Sequence, residues 1–367
     1  MKKFFMFAAM ASVALVSCVK NDPANFADQG DAIVFNNPVV GLNTKALPDA
    51  EEIDGLVYPE STPFTVNAWY MLKGNTYAGT GERYMVEVNT TMVDAAGSEL
   101  AYYKPVEPYY WPKNGTLSFI AYSPTELPTD CSAEGVDASG AAKDKLVITY
   151  VTPNAADDQR DLMYSDWACD EIASVDGNTK YQGLDIAFHH ALSVVKVCIN
   201  AVDDETATAV RIGTVRLNKI HKSATFTSEF GKTPFWTEAE TDDTYTVLNI
   251  AELDATGNSA VDAASGKLIQ GAAGTTQYCN YILMPQTLTD DMTLTIDYFV
   301  KHGNEWLPQN ATLQLNEAKD ASSNLIGNWV MNKKYNYNVS IKLNPIFFAP
   351  AIVEWAEATV SKWDITE

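Results

Sequence analysis

Between residues 335 and 343 the chain alternates strictly. Tyr335, Tyr337, Val339, Ile341 and Leu343 fall on one side of an extended backbone, and Asn336, Asn338, Ser340 and Lys342 on the other. Successive side chains of a strand point to opposite faces, so this pattern predicts a strand with one buried and one wet face. Met292, Leu294, Ile296, Tyr298 and Val300 repeat it, as do Leu184, Ile186 and Phe188, and then Val195, Val197 and Ile199. Helical periodicity is almost absent beyond the N-terminus, and Gly, Pro, Asn and Asp clusters interrupt the alternation. The chain reads as all-β, a sandwich of antiparallel strands.

At roughly 150 residues per domain, 367 residues suggest two domains. Turn-rich interruptions fall at 131–144, 170–183 and 254–276. The second is the expected boundary, because a short final strand, Asp161-Leu162-Met163-Tyr164-Ser165, precedes it and the apolar strand pair of 184–200 follows. The expected division is a leader at 1–17, a tether and first strand at 18–45, and sandwiches at 46–178 and 179–367. No repeat of roughly 20 to 50 residues points to a solenoid or propeller.

Charge narrows the function. Lys plus Arg number 25 against 47 Asp plus Glu, a net charge of -22, which argues against any grip on nucleic-acid phosphates or anionic headgroups. With 46% hydrophobic and 20% charged residues, the composition is that of a packed protein and not of a disordered acidic tail. Past the N-terminus no apolar run approaches the roughly 20 residues of a membrane helix.

The N-terminus carries an export signal. Lys2 and Lys3 precede an apolar stretch over 4–16, too short to span a bilayer. It ends in Leu15-Val16-Ser17-Cys18, which matches a bacterial lipobox. Cleavage is expected between Ser17 and Cys18, with Cys18 acylated and held to outer-membrane lipid. Cys131, Cys169, Cys198 and Cys279 remain, at spacings that fit no compact disulfide or zinc framework; free buried thiols are the expectation.

Catalytic signatures are absent from the sequence. Gly231-Lys232-Thr233 lacks the earlier glycine of a phosphate loop, since position 226 is Phe226. His189 and His190 are adjacent and point to opposite faces of a strand, which disfavours a shared metal ion. The acidic pairs, Asp290-Asp291 among them, read as solvated turns or as loop calcium ligands. Tyr102-Tyr103 and Tyr109-Tyr110-Trp111 read as core aromatics or as a sugar-stacking platform. The expectations are no enzyme, no cofactor and no metal site.

Several segments act together: Phe64-Thr65-Val66-Asn67-Ala68-Trp69-Tyr70; Trp111-Pro112 with Leu117-Ser118-Phe119-Ile120-Ala121-Tyr122-Ser123-Pro124; Asp161-Leu162-Met163-Tyr164 leading to the apolar run of 184–197; and the C-terminal Trp329, Asn332-Lys333-Lys334-Tyr335-Asn336-Tyr337, Ile341 and Trp355. In this order behind a lipobox, the chain resembles the fimbrillin family of Bacteroidia, the subunits of type V pili and their relatives. The resemblance implies two tandem transthyretin-like, Ig-like Greek-key β-sandwich domains. It also implies a surface lipoprotein precursor whose first strand is removed by a trypsin-like protease and replaced by a strand of a neighbouring subunit, giving a head-to-tail filament.

On that resemblance the removable strand lies within 32–45, with Ile33, Phe35, Val39, Val40 and Leu42 as groove fillers. Lys45-Ala46 is either the processing site or an ordinary exposed linker. The donor segment lies in 347–365, with Phe348, Ile352, Trp355, Val360 and Trp363 as its apolar residues. Partners are then identical or related pilus subunits, with a host protein or glycan as adhesion ligand. Two alternatives stand beside the stalk subunit: an anchor or tip accessory of the fimbria, and a non-polymerising carbohydrate-binding surface lipoprotein.

Overall fold

The structure, a computed structural model, describes residues 31–40, 58–59, 61–94, 101–133, 145–154, 158–173, 183–201, 209–238, 242–249, 268–270, 276–302, 305–320, 323–341 and 347–354. Over these residues the regular elements are strands, apart from one 3-10 turn at Leu315–Glu317. The expectation of an all-β chain holds. No helix among the described residues is long and apolar enough to cross a membrane.

In chain order the first strands are β1 (Phe35–Asn36), β2 (Val39–Val40), β3 (Thr65–Leu72), β4 (Glu82–Val93), β5 (Tyr102–Pro105), β6 (Gly115–Ser123), β7 (Ser132–Ala133), β8 (Lys145–Val151), β9 (Met163–Ser165), β10 (Ala168–Glu171) and β11 (Ala187–His190). They are followed by β12 (Ser193–Ala201), β13 (Ala209–His221), β14 (Ser223–Glu229), β15 (Phe235–Glu238), β16 (Asp242–Asn249), β17 (Leu268–Gln270) and β18 (Thr276–Leu283). The last are β19 (Gln286–Thr287), β20 (Thr293–His302), β21 (Glu305–Gln314), β22 (Asn328–Trp329), β23 (Lys333–Ile341) and β24 (Phe347–Glu354).

A nine-stranded sheet runs β1-β5-β4-β3-β6-β9-β11-β2, with β10 also on β6. Its interior holds Phe64, Val66 and Ala68 of β3 and its approach, Leu117, Phe119 and Ala121 of β6, and Phe188 of β11. The intervening Ile120 and Tyr122 of β6 face a different cluster, with Trp69, Ile148, Tyr150 and Phe226. Alternate residues of β6 thus enter two cores, which is why its sequence reads as a nearly continuous apolar run.

Toward the C-terminus, the sheet β18-β12-β23-β24 faces the sheet β16-β13-β20-β21 across a third core. Val195, Val197 and Ile199 of β12, Leu294 and Ile296 of β20, and Tyr335, Tyr337, Val339 and Ile341 of β23 meet there. These are the inward residues predicted from alternation. Asn336, predicted to face water, is also buried, as is its register partner Lys196 on β12, so the centre of this sheet is covered on its second face as well. Leu343 lies outside the described residues.

Backbone pairing crosses the division expected at 178/179 twice. β11 pairs with β9 and β2 in the first sheet, and β14 pairs with β8 along the register Ser223↔Val151 to Glu229↔Lys145. The segment read as a final strand, 161–165, is therefore an interior strand. A side chain adds to the join: the buried Gln159 accepts from the Ile282 N–H at 2.7 Å.

Candidate functional site

β1 and β2 occupy opposite ends of the nine-stranded sheet, although only Asn37 and Pro38 separate them. Residues 31–40 therefore join the sheet's two edges. On one side the segment runs antiparallel to 102–111: Phe35 is in register with Tyr103, Ala32 bridges Tyr110, Ile33 N–H donates to the Tyr109 oxygen at 2.8 Å, and Trp111 N–H donates to the Asp31 oxygen at 3.0 Å. On the other side it runs parallel to 184–188. There Leu184 N–H donates to Val34 O at 2.9 Å, Asn36 N–H to Leu184 O at 3.0 Å, and Val39 N–H to Ile186 O at 3.2 Å.

The side chains explain how this segment is seated. Ile33 and Phe35 face inward, then the alternation slips at Asn37-Pro38, so that Pro38 and Val40 face inward in turn. Proline has no N–H to leave unpaired, which suits it to the point where the strand changes partner. This slip corrects the expected set of groove fillers. Ile33, Phe35 and Val40 are buried as expected, but Val39 points to solvent with 51% of its surface exposed. Leu42 lies outside the described residues. Three fully buried apolar side chains at about 1.5–3 kcal/mol each set an upper bound of about 5–9 kcal/mol on the apolar contribution of seating.

Phe35 is the centre of an aromatic cluster. Its ring lies 5.5 Å from Phe64 and 6.0 Å from Phe119, both edge-on, and Tyr58 stacks on Phe188 at 5.0 Å. Tyr58 Oη donates to Ser123 Oγ at 2.7 Å, and burial pushes its phenol well above the usual range, so it stays a neutral donor. Tyr103, singled out as a core or sugar-stacking residue, is fully buried here; Tyr109 and Trp111 are partly buried and pack on the same core. The core alternative accounts for these aromatics.

A polar contact at the rim was not anticipated from sequence. Asn36 Nδ2 donates to Gly183 O at 2.9 Å and to Asp185 Oδ1 at 2.7 Å, while Gly183 N–H donates to Asn36 Oδ1 at 3.1 Å. A Cβ on Gly183 would sit 2.6 Å from the Asn36 nitrogen, so only glycine admits the segment this closely. The one sequence cue is an amide inside an otherwise apolar run.

Other singled-out residues are placed as follows. His189 lies 3.1 Å from Asp166 and His190 2.6 Å from Asp161, on opposite faces of β11. No group of three or more His, Cys, Asp or Glu among the described residues is arranged to hold a metal ion. Lys232 pairs with Glu229 in the turn around Gly231. Cys131 and Cys169 carry free thiols, partly buried. Of the donor-segment residues, Phe348 and Ile352 are in register with Val339 and Tyr335 on β23, at the edge of their sheet. Ser17, Cys18, Lys45, Ala46, Trp355, Val360 and Trp363 lie outside the described residues, as do the side chains of Cys198 and Cys279.

A family model described as fimbrillin-like matches residues 60–363, most of the chain. The chain belongs to the fimbrillin-like family. This is a structural family and not an enzyme family. Among solved structures, a fimbrial protein from Bacteroides vulgatus is similar in fold, with 16% identity over 80% of this chain and 92% of its own, at a TM-score of 0.56. A fimbrilin from Porphyromonas gingivalis aligns with 12% identity over 89% of this chain and 98% of its own, at a TM-score of 0.41. No curated protein matches the chain. Residues 31–40, the segment that joins the sheet's edges, lie before the matched region.

Proposed function

We propose that this fimbrillin-like chain is a structural subunit of a cell-surface fimbria, exported as a lipoprotein through Cys18 and assembled by strand exchange. The observation that carries the reading is the double pairing of residues 31–40. A short segment with strand partners on both sides and three apolar side chains in the core can be replaced only by another strand of like spacing. Cleavage at Lys45-Ala46 would free it from the rest of the chain. Its departure would open two backbone edges, at 102–111 and 184–188, over a pocket lined by Phe64, Tyr103, Phe119 and Phe188. Such an edge is completed by an added strand. The donor is assigned to 347–365 of a neighbouring subunit, whose first part is already an edge strand. Repetition of this head-to-tail contact does not close and yields a filament.

Limited trypsin treatment, N-terminal sequencing and electron microscopy test it together. The first large product is expected to begin at Ala46, and filaments are expected to follow. A first cut near Lys180, or a clean cut at Lys45 that leaves only monomers, overturns strand exchange and favours a non-polymerising surface binder.

A further inference from the structure

The apolar fillers of the segment explain why it stays in the groove and which face it turns inward, but they make no directional bonds to the groove wall. A slip of one residue would turn the Phe35 ring out of the core, whereas a slip of two keeps the same face inward. The only side chain of the segment seen to make directional bonds to the groove wall is Asn36. We infer that Asn36, Gly183 and Asp185 form a reading site for a side-chain amide, which fixes the register of residues 31–40 in the groove. This rests on the reading of residues 31–40 as a replaceable strand, and it names what holds the resident strand in place before replacement.

The chemistry is specific. An amide is both donor and acceptor, and both roles are used: Oδ1 accepts from Gly183 N–H, and the two Nδ2 hydrogens serve Gly183 O and Asp185 Oδ1. A carboxylate at position 36 would face the Asp185 carboxylate with no donor of its own. An aliphatic side chain would leave the Gly183 N–H and C=O without protein partners. A longer amide has to displace the backbone, because Gly183 already lies against the Asn36 nitrogen and the Phe35 carbonyl carbon, with no room for even a Cβ. A slip by two residues would bring either Val34 or Pro38 to the reading position, and neither carries an amide side chain. The donor segment assigned above, 347–365, carries no asparagine, so it is expected to occupy the groove without this lock.

The test uses hydrogen exchange on the intact chain, read at the amides of Ile33, Asn36 and Val39, which bond to Tyr109, Leu184 and Ile186. Asn36→Ala is expected to speed exchange at these three on the order of ten-fold or more, the loss of several hydrogen bonds, while β12 and β23 keep wild-type protection and report an intact fold. Asn36→Asp is expected to speed it similarly, and Asn36→Asp combined with Asp185→Asn to recover part of the protection, because the contact with position 185 is reversed while the Gly183 C=O stays without its donor. Protection within two-fold of wild type in Asn36→Ala, or no recovery in the double variant, overturns the reading site. A second arm offers the trypsin-cut chain a labelled peptide of residues 31–40, with and without Asn36→Ala. The native peptide is expected to stay bound at least ten-fold longer, and equal retention of the two overturns the amide lock. If the cut chain takes up neither peptide while the intact-chain results stand, strand replacement falls and the register lock remains.

Discussion

The ring of Phe35 stands edge-on to that of Phe64, with centroids 5.5 Å apart and planes at 76°. This contact ties a ten-residue stretch at the start of the described chain to the strand that begins the matched family region. Phe35 is fully buried, and Phe64 is fixed by its own backbone: its N–H meets Thr90 Oγ1 at 3.1 Å, and Thr90 Oγ1 donates back to its oxygen at 2.9 Å. The aromatic pair thus joins a seated segment to a rigid wall.

Phe35→Ala is therefore expected to cost about 3–5 kcal/mol in a urea titration, through lost burial and the cavity left beside Phe64 and Phe119. Val39→Ala, four residues on but facing solvent, is expected to stay within about 0.5 kcal/mol of wild type. A comparable loss in both variants would mean that the segment's inward face is not Ile33, Phe35 and Val40.

Cys18→Ala is expected to abolish incorporation of a palmitate analogue and to leave an uncleaved or unanchored precursor. Metabolic labelling of cells carrying each form reads this directly. Label retained by the alanine variant removes the anchor.

Deletion of residues 351–367 is expected to leave the first sheet folded, because among the described residues its interior draws on 33–188. Protection of β3 and β6 in hydrogen exchange is the check. After a cut at Lys45 this truncated chain is expected to form no filaments. Filaments of normal length would show that the donor lies elsewhere.

Cys169 is expected to alkylate slowly at pH 8. Burial pushes its thiol up to about 11, and burial raises Cys131 as well. The thiolate is the reactive form, so the rate should climb as pH rises toward that value and fall as pH drops. Iodoacetamide labelling followed by mass spectrometry measures it, and full labelling of Cys169 within minutes at pH 8 would contradict its burial.

What the sequence determined is the local layer of this fold. Period-two alternation identified β20, β23 and β12 together with their inward residues, because each strand has one face against a core and the pleat does the rest. The adjacent histidines were correctly assigned to opposite faces by the same geometry. Tertiary structure alone decided the non-local pairings. Nothing in residues 184–188 announces a parallel partner some 150 positions earlier, and nothing in β8 announces that it will pair with β14. Such contacts are selected by which faces remain uncovered once several strands have packed, not by any one strand's pattern. Val39 shows the limit most plainly. The sequence offers Val39 and Val40 alike as groove fillers, but the slip at Asn37-Pro38 that turns Val39 outward arises where the segment leaves one sheet edge for the other, and that exchange exists only in the folded chain.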